Sequence, residues 1–265
     1  MSDTLIERIW SGNSYRNFHY LIACASTGEA LAVDPLEWRL CLDAARARGW
    51  TITQIVNTHE HGDHTGGNAG LVAHTRARVL AHAAAAARIG GVDQGLSAND
   101  VIRVGRIELR CLDTPGHTMS HVCLLAQDDV PGLFCGDTLF NAGAGNCHNG
   151  GDPNALYESF ATQLEALPAS TRIYSGHEYL TRNLEFTLDR EPHNADAAEW
   201  HTRVRTCPPE SMPVTTLADE KRINTFFRLR NPEIIERLRD QVRGLSPAPT
   251  AREVFLALRE LRNSW

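Results

Sequence analysis

Thr58-His59-Glu60-His61-Gly62-Asp63-His64-Thr65-Gly66-Gly67-Asn68 follows directly on Ile52 to Asn57, an apolar run of strand length. Residues two apart on an extended chain project to the same side, so His59 and His61 converge on one point. Gly62 permits a sharp turn, after which Asp63 and His64 face the same space from the mouth of the next helix. Three histidines and an aspartate thus fall between positions 59 and 64. Neutral imidazole nitrogen mixed with anionic oxygen suits a divalent zinc, manganese or iron ion. A His-Glu-x-x-His zinc helix is excluded, because Asp63 stands where that spacing needs the second histidine. Glu60 is therefore read as a solvated loop carboxylate.

Three later segments repeat one pattern, a strand-like run, then glycine, then a ligand type. They are Leu109 to Leu112 leading through Asp113-Thr114-Pro115-Gly116 to His117, Leu133-Phe134-Cys135-Gly136-Asp137, and Ile173-Tyr174-Ser175-Gly176-His177. Glycine beside each candidate lets backbone pass close to an ion. With the first segment this makes five histidines and two aspartates, all at the C-terminal ends of expected strands. A tetrahedral ion takes four ligands, so the set suits two ions sharing a bridge, and Asp137 with its two oxygens is the natural one.

Around these motifs the chain alternates strand-like runs (18–25, 30–33, 52–57, 107–112, 121–125 and 132–135) with helical patterns (37–48, 69–77 and 155–167), an α/β layout. After His177 the texture changes to helices broken by prolines, clearest over 228–243 and 250–262, the latter with Thr250 at the N-cap and Glu253 three residues on. Residues 1–177 are thus expected to form one domain and 178–265 a smaller helical one. The 265 residues carry a net charge of −6, which argues against a nucleic-acid partner. No apolar stretch is long enough to span a membrane, and Met1 to Arg8 lacks the apolar core of a signal peptide. Seven cysteines with no Cys-x-x-Cys pair read as buried thiols of a cytoplasmic protein.

Thr-His-x-His-x-Asp-His, Pro-Gly-His-Thr, Gly-Asp-Thr-Leu-Phe and Gly-His-Glu-Tyr, in this order, resemble the motif set of the metallo-β-lactamase superfamily. With the helical C-terminal region the chain resembles glyoxalase II, the hydroxyacylglutathione hydrolases. The resemblance implies an αββα sandwich followed by a smaller all-helical C-terminal domain, with the metals at the sandwich rim. It implies that His59, His61 and His117 hold one divalent ion, that Asp63, His64 and His177 hold the other, and that Asp137 and a water or hydroxide bridge both. Zinc comes first, with iron or manganese also suited. Asp63, Asp137 and hydroxide bring three negative charges against four positive, and the net positive site favours the oxyanion of an attacked thioester. These two aspartates are therefore the catalytic candidates as well as ligands.

The same resemblance implies a small-molecule glutathione thioester, of the S-lactoylglutathione type, as substrate. Tyr179 matches a glutathione-binding tyrosine of the family, and Arg259 and Arg262 match its Arg-x-x-Lys pair, three apart on one helix face and able to meet one carboxylate together. Asn146 stands where the family has a lysine and His148 about where it has a tyrosine, so one positive charge is lost toward the substrate. Both are retained as binding candidates, and 142–152 is read as a polar lid loop; the loss leaves a different acyl thioester as an alternative. A persulfide dioxygenase, with one iron on two histidines and an aspartate, is the other. Asp34 and Asp113 precede turns, and either can orient a ligand histidine. The chain is expected to be a monomer or small homo-oligomer.

Overall fold

In the computed structural model, which describes residues 3–129 and 131–265, the apolar runs pair into two sheets. Met1 and Ser2, the start of the segment read for a leader, lie outside the described residues. The first sheet follows chain order: β1 (Thr4–Trp10), β2 (Phe18–Cys24), β3 (Glu29–Val33), β4 (Thr51–Asn57), β5 (Arg78–His82) and β6 (Gln94–Leu96). The next strands are β7 (Val101–Val104), β8 (Ile107–Asp113), β9 (Val122–Ala126) and β10 (Gly132–Gly136). A small hairpin, β11 (Leu139–Phe140) and β12 (Gly143–Ala144), precedes β13 (Arg172–Ser175) and β14 (Thr215–Thr216). The second sheet has the order β14-β13-β10-β9-β8-β7.

Alternation along each strand sorts side chains to two faces. Phe18, Tyr20 and Ile22 of β2 join Leu109, Leu124 and Phe134 of the second sheet in the core between the sheets. Leu21 and Ala23 turn the other way, under helices Trp38–Ala47 and Asn68–Thr75. On the far side, Leu125, Leu133 and Cys135 are covered by Leu156 and Phe160, and by Phe255 and Leu258 of helix Ala251–Ser264. The result is an αββα sandwich of the metallo-β-lactamase type. The region after His177 is mostly helical; its exception, β14, pairs antiparallel with β13, and Phe226, Ile234 and Leu238 share the core of the second sheet.

Local signals explain the helix ends. The helix expected from residue 228 begins at Pro232, whose missing N–H costs nothing in a first turn, and Asn231 accepts from Glu233 N at 2.8 Å. Thr250 Oγ1 accepts from Glu253 N at 3.2 Å while the Glu253 carboxylate accepts from Thr250 N at 2.7 Å, the reciprocal cap anticipated from the sequence. Strands β8, β10 and β13 run in one direction, because β9 is antiparallel to both β8 and β10 and β13 is parallel to β10. Their C-terminal ends therefore open on one rim.

Candidate metal centre

His59 and His61 leave the end of β4, and the single turn Gly62–Thr65 carries Asp63 and His64. His117 follows β8, Asp137 follows β10 and His177 follows β13. A Cβ on Gly176 would lie 2.5 Å from Asp137 Oδ1 and 3.0 Å from His64 Cε1, so only glycine lets this backbone pass. All seven expected ligands meet in one cluster. His59, His61 and His117 form one group, Asp63, His64 and His177 another, and a third, His59, His64 and Asp137, straddles them. Asp137 lies between: its Oδ1 is 3.5 Å from His64 Nε2, and its Oδ2 is 3.5 Å from His117 Nε2 and 3.2 Å from His177 Nε2.

The outer nitrogen of each imidazole fixes the state of the inner one. His61 Nε2 faces Asn149 O at 3.1 Å, His117 Nδ1 faces Asn146 O at 2.6 Å and His177 Nδ1 faces Tyr15 O at 2.7 Å. His64 Nδ1 faces the Asp34 carboxylate at 3.0 Å. Carbonyls and carboxylates only accept, so each of these four nitrogens carries the proton. Thr58 spends its one hydroxyl proton on Asp34 at 2.7 Å, so at 3.0 Å it accepts from His59 Nδ1. With one proton per ring, the inner nitrogens of His59, His61 and His117 are bare lone pairs, yet His61 Nδ1 lies 3.0 Å from both His59 Nε2 and His117 Nε2; His64 Nε2 lies 3.2 Å from His177 Nε2. Asp137 Oδ1, buried, has no hydrogen-bond partner among the described residues. Lone pairs at such distances repel unless a cation sits among them, so the donor set fits divalent metal.

Electrostatics separates the two groups. Burial holds His59 well below the usual histidine range and lowers His117, so neither takes a proton to relieve the repulsion. For His64 burial also works downward, but Asp137 and Asp34 outweigh it and raise the pKa well above the ordinary value. Burial would raise the Asp137 carboxyl, but His177 and His64 hold it well below the carboxylate range.

Asp34, one of two aspartates offered as orienting groups, also accepts from Thr58 N at 2.8 Å, so it braces both His59 and His64. Asp113 does not reach the cluster and faces His82 at 3.4 Å. His121 stacks on His59 and accepts from Asp137 N at 3.2 Å. The expectation for Glu60 is corrected. Its carboxylate is largely withdrawn from solvent, accepting from Ser120 Oγ at 2.9 Å and Thr118 Oγ1 at 3.0 Å and pairing with Arg88. Its partners lie on distant segments, which a local reading does not reach.

All five expected substrate contacts, Asn146, His148, Tyr179, Arg259 and Arg262, line one cavity of about 330 Å³, with Arg182 as a cation the sequence reading missed. Tyr179 stacks on His177 with ring centroids 5.3 Å apart, so the cavity touches the cluster. Its phenol is pushed up to about 12, chiefly by burial, and remains a donor. Arg262 Nη2 donates to Asn183 Oδ1 at 3.2 Å. Arg259 is more deeply placed than its expected role implied, with Nη1 on Ala144 O at 2.7 Å and Gly145 O at 2.9 Å and only Nε unpartnered. Burial lowers it to about 10, leaving it charged at neutral pH. Among the described residues neither arginine has a carboxylate partner in the protein.

Residues 26–177 match the metallo-beta-lactamase superfamily and residues 178–265 match the hydroxyacylglutathione hydrolase C-terminus. A hydroxyacylglutathione hydrolase of Nitrosococcus oceani is 60% identical over 98% of this chain and 100% of its own length. The chain belongs to the hydroxyacylglutathione hydrolase family. Another hydroxyacylglutathione hydrolase, from a Polaromonas species, is 58% identical over 98% of this chain and 100% of its own. Among solved structures, ETHE1 from Myxococcus xanthus superposes with a TM-score of 0.70 at 26% identity, covering 98% of this chain and 91% of that one. Family membership and the converging groups together assign divalent-metal binding to the chain. Among the described residues no helix is long and apolar enough to cross a membrane.

Proposed function

We propose that this chain hydrolyses glutathione thioesters of 2-hydroxy acids, the S-lactoylglutathione type, to the free acid and glutathione, using two divalent ions, zinc foremost. One ion is held by His59, His61 and His117, the other by Asp63, His64 and His177, with Asp137 shared. The observation that carries this reading is the set of facing lone pairs of His59, His61 and His117 together with the unpartnered Asp137 oxygen. The names of the two hydroxyacylglutathione hydrolases above support the substrate class. When bound, such ions lower the pKa of water to about 7 and polarise a carbonyl, which supplies nucleophile and oxyanion stabilisation.

The chain's own residues do the rest. Asp34 and Thr58 keep the inner nitrogens of His59 and His64 free for metal. Arg262 receives a carboxylate of the glutathione moiety, the buried charge of Arg259 lies behind it, and Tyr179 places the thioester beside His177. Residues 1–177 thus carry the ligands, and 178–265 supply the cationic wall. A cytoplasmic enzyme fits the unpaired thiols.

The test is metal content by plasma mass spectrometry on one preparation, with a kinetic panel of glutathione and coenzyme A thioesters. Two metal equivalents per chain, with preference for glutathione thioesters, are expected. One iron per chain with oxygen uptake on glutathione persulfide would refute the proposal in favour of a dioxygenase.

A further inference from the structure

Five consecutive residues between the hairpin strand β11 and the end of the loop, Asn141 to Gly145, are gripped through their main chain by side chains from beyond His177. Asn183 Nδ2 donates to Asn141 O at 3.0 Å, and Ala142 N donates to both oxygens of Glu220 at 3.1 and 3.0 Å. Asn224 Nδ2 donates to Gly143 O at 3.0 Å, and Arg259 Nη1 takes the carbonyls of Ala144 and Gly145. All four gripping residues are buried. The next carbonyl, that of Asn146, accepts the Nδ1 proton of His117. The loop also lies on Asp137, for a Cβ on Gly145 would fall 1.8 Å from Asp137 O.

Glu220 is the least expected member. It is fully buried and, among the described residues, has no cation beside it; three donors, Thr215 Oγ1, Asn224 Nδ2 and Ala142 N, make four contacts to its two oxygens. A buried carboxylate is costly to keep, and this one is spent on the N–H of Ala142, an alanine at φ 57, where a Cβ crowds the backbone. Asn224 bonds both to Glu220, at 2.7 Å, and to the loop.

We infer that Glu220 and Asn224 are positioning residues for the metal centre. By fixing the 141–145 backbone from the helical region they set the Asn146 carbonyl that orients His117, and through it the group His59, His61 and His117. The inference rests on His117 being a ligand. It makes the C-terminal region part of the metal site's support as well as a wall of the substrate cavity.

Zinc affinity measured by chelator competition on the full chain tests this without substrate. Asn224→Ala and Glu220→Ala are expected to weaken one of two zinc affinities about tenfold or more, the usual effect of losing an outer partner of a ligand. Glu220→Gln keeps an oxygen for the Ala142 N–H and recovers part of the loss. Leu238→Ala, buried in the same helical region but off the loop, is expected to lower the melting temperature with both affinities unchanged. Zinc binding within twofold of the parent in folded Asn224→Ala overturns the inference, as does an equal loss in Leu238→Ala. Should Glu220→Ala not fold, Asn183→Ala, which releases Asn141 O, carries the test. If His117→Ala itself retains both ions, the ligand reading fails first, and the inference with it.

Discussion

Asp34→Asn changes one buried oxygen to an amide and reaches both metal groups. The residue sits at φ 49, a left-handed conformation that asparagine adopts as readily as aspartate, so the backbone is kept. In the parent, Oδ1 accepts from Thr58 N, and Oδ2 accepts from Thr58 Oγ1 at 2.7 Å and His64 Nδ1 at 3.0 Å. In the variant the amide oxygen keeps Thr58 N, and the NH2 then faces the other two partners. His64 Nδ1 must now accept, which leaves the ring's proton on Nε2. The Thr58 hydroxyl also accepts and turns its own proton onto His59 Nδ1, 3.0 Å away, which moves that imidazole's proton to Nε2 as well. Both protons point into the cluster where the ions bind. The opposite amide flip sets NH2 against the buried Thr58 N–H instead, at about 1–3 kcal/mol for the lost pairing.

Loss of an outer partner typically costs a metal site about 10–100-fold in affinity, or about 1.4–2.8 kcal/mol. With one disturbed histidine in each group, both ions should weaken by that factor. Chelator competition reads the two affinities, and circular dichroism checks the fold. A folded Asp34→Asn protein that binds both zinc ions within twofold of the parent would refute the tautomer reasoning.

Three further outcomes follow from the same geometry. Because carboxylates hold the His64 pKa well above its ordinary value of 6.5 in the metal-free chain, zinc loading at pH 7 should release a proton, with affinity rising as pH increases. The contribution of that proton to the metal-free fold is full below 6.5 and is lost as pH climbs through the raised pKa. Calorimetry in buffers of different ionisation enthalpy measures the release, and identical heats would exclude it. Arg262→Ala should raise KM for glutathione thioesters about tenfold, the worth of one charge-assisted hydrogen bond, with kcat and zinc content unchanged; a thioester of an uncharged thiol should show no change. Asn146→Lys, which leaves the carbonyl that serves His117 in place, should lower KM severalfold for glutathione thioesters, and the gain should shrink as salt is raised.

The seven candidate ligands were legible because their chemistry is written locally, four between positions 59 and 64 and three each behind a strand and a glycine. Topology then needs only to bring strand ends to one rim, which the shared direction of β8, β10 and β13 does. Strands β1, β5, β6 and β7 gave weaker signals: β7 has four residues, alternating exposed and buried, too few to establish a period. Asp34 was narrowed to one of two guesses, since a turn aspartate looks alike whether it meets a histidine, as here, or stands at the surface beside one, as Asp113 does with His82.

The support of the site was least legible where main chain is the partner. The carbonyls of Tyr15, Asn146 and Asn149 fix three of the five imidazoles, and a carbonyl leaves no mark in residue type. Arg259 shows the same limit from the other side: its spacing from Arg262 is that of a carboxylate clamp, yet two loop carbonyls and Asn263 already take three of its five N–H donors. Thr58 shows what a single side chain can carry once the fold is known. A hydroxyl both donates and accepts, so it passes the charge of Asp34 on to His59 as a fixed tautomer. Valine, of the same shape, would free the imidazole to choose, and serine would keep the bonds while loosening the rotamer that aims them.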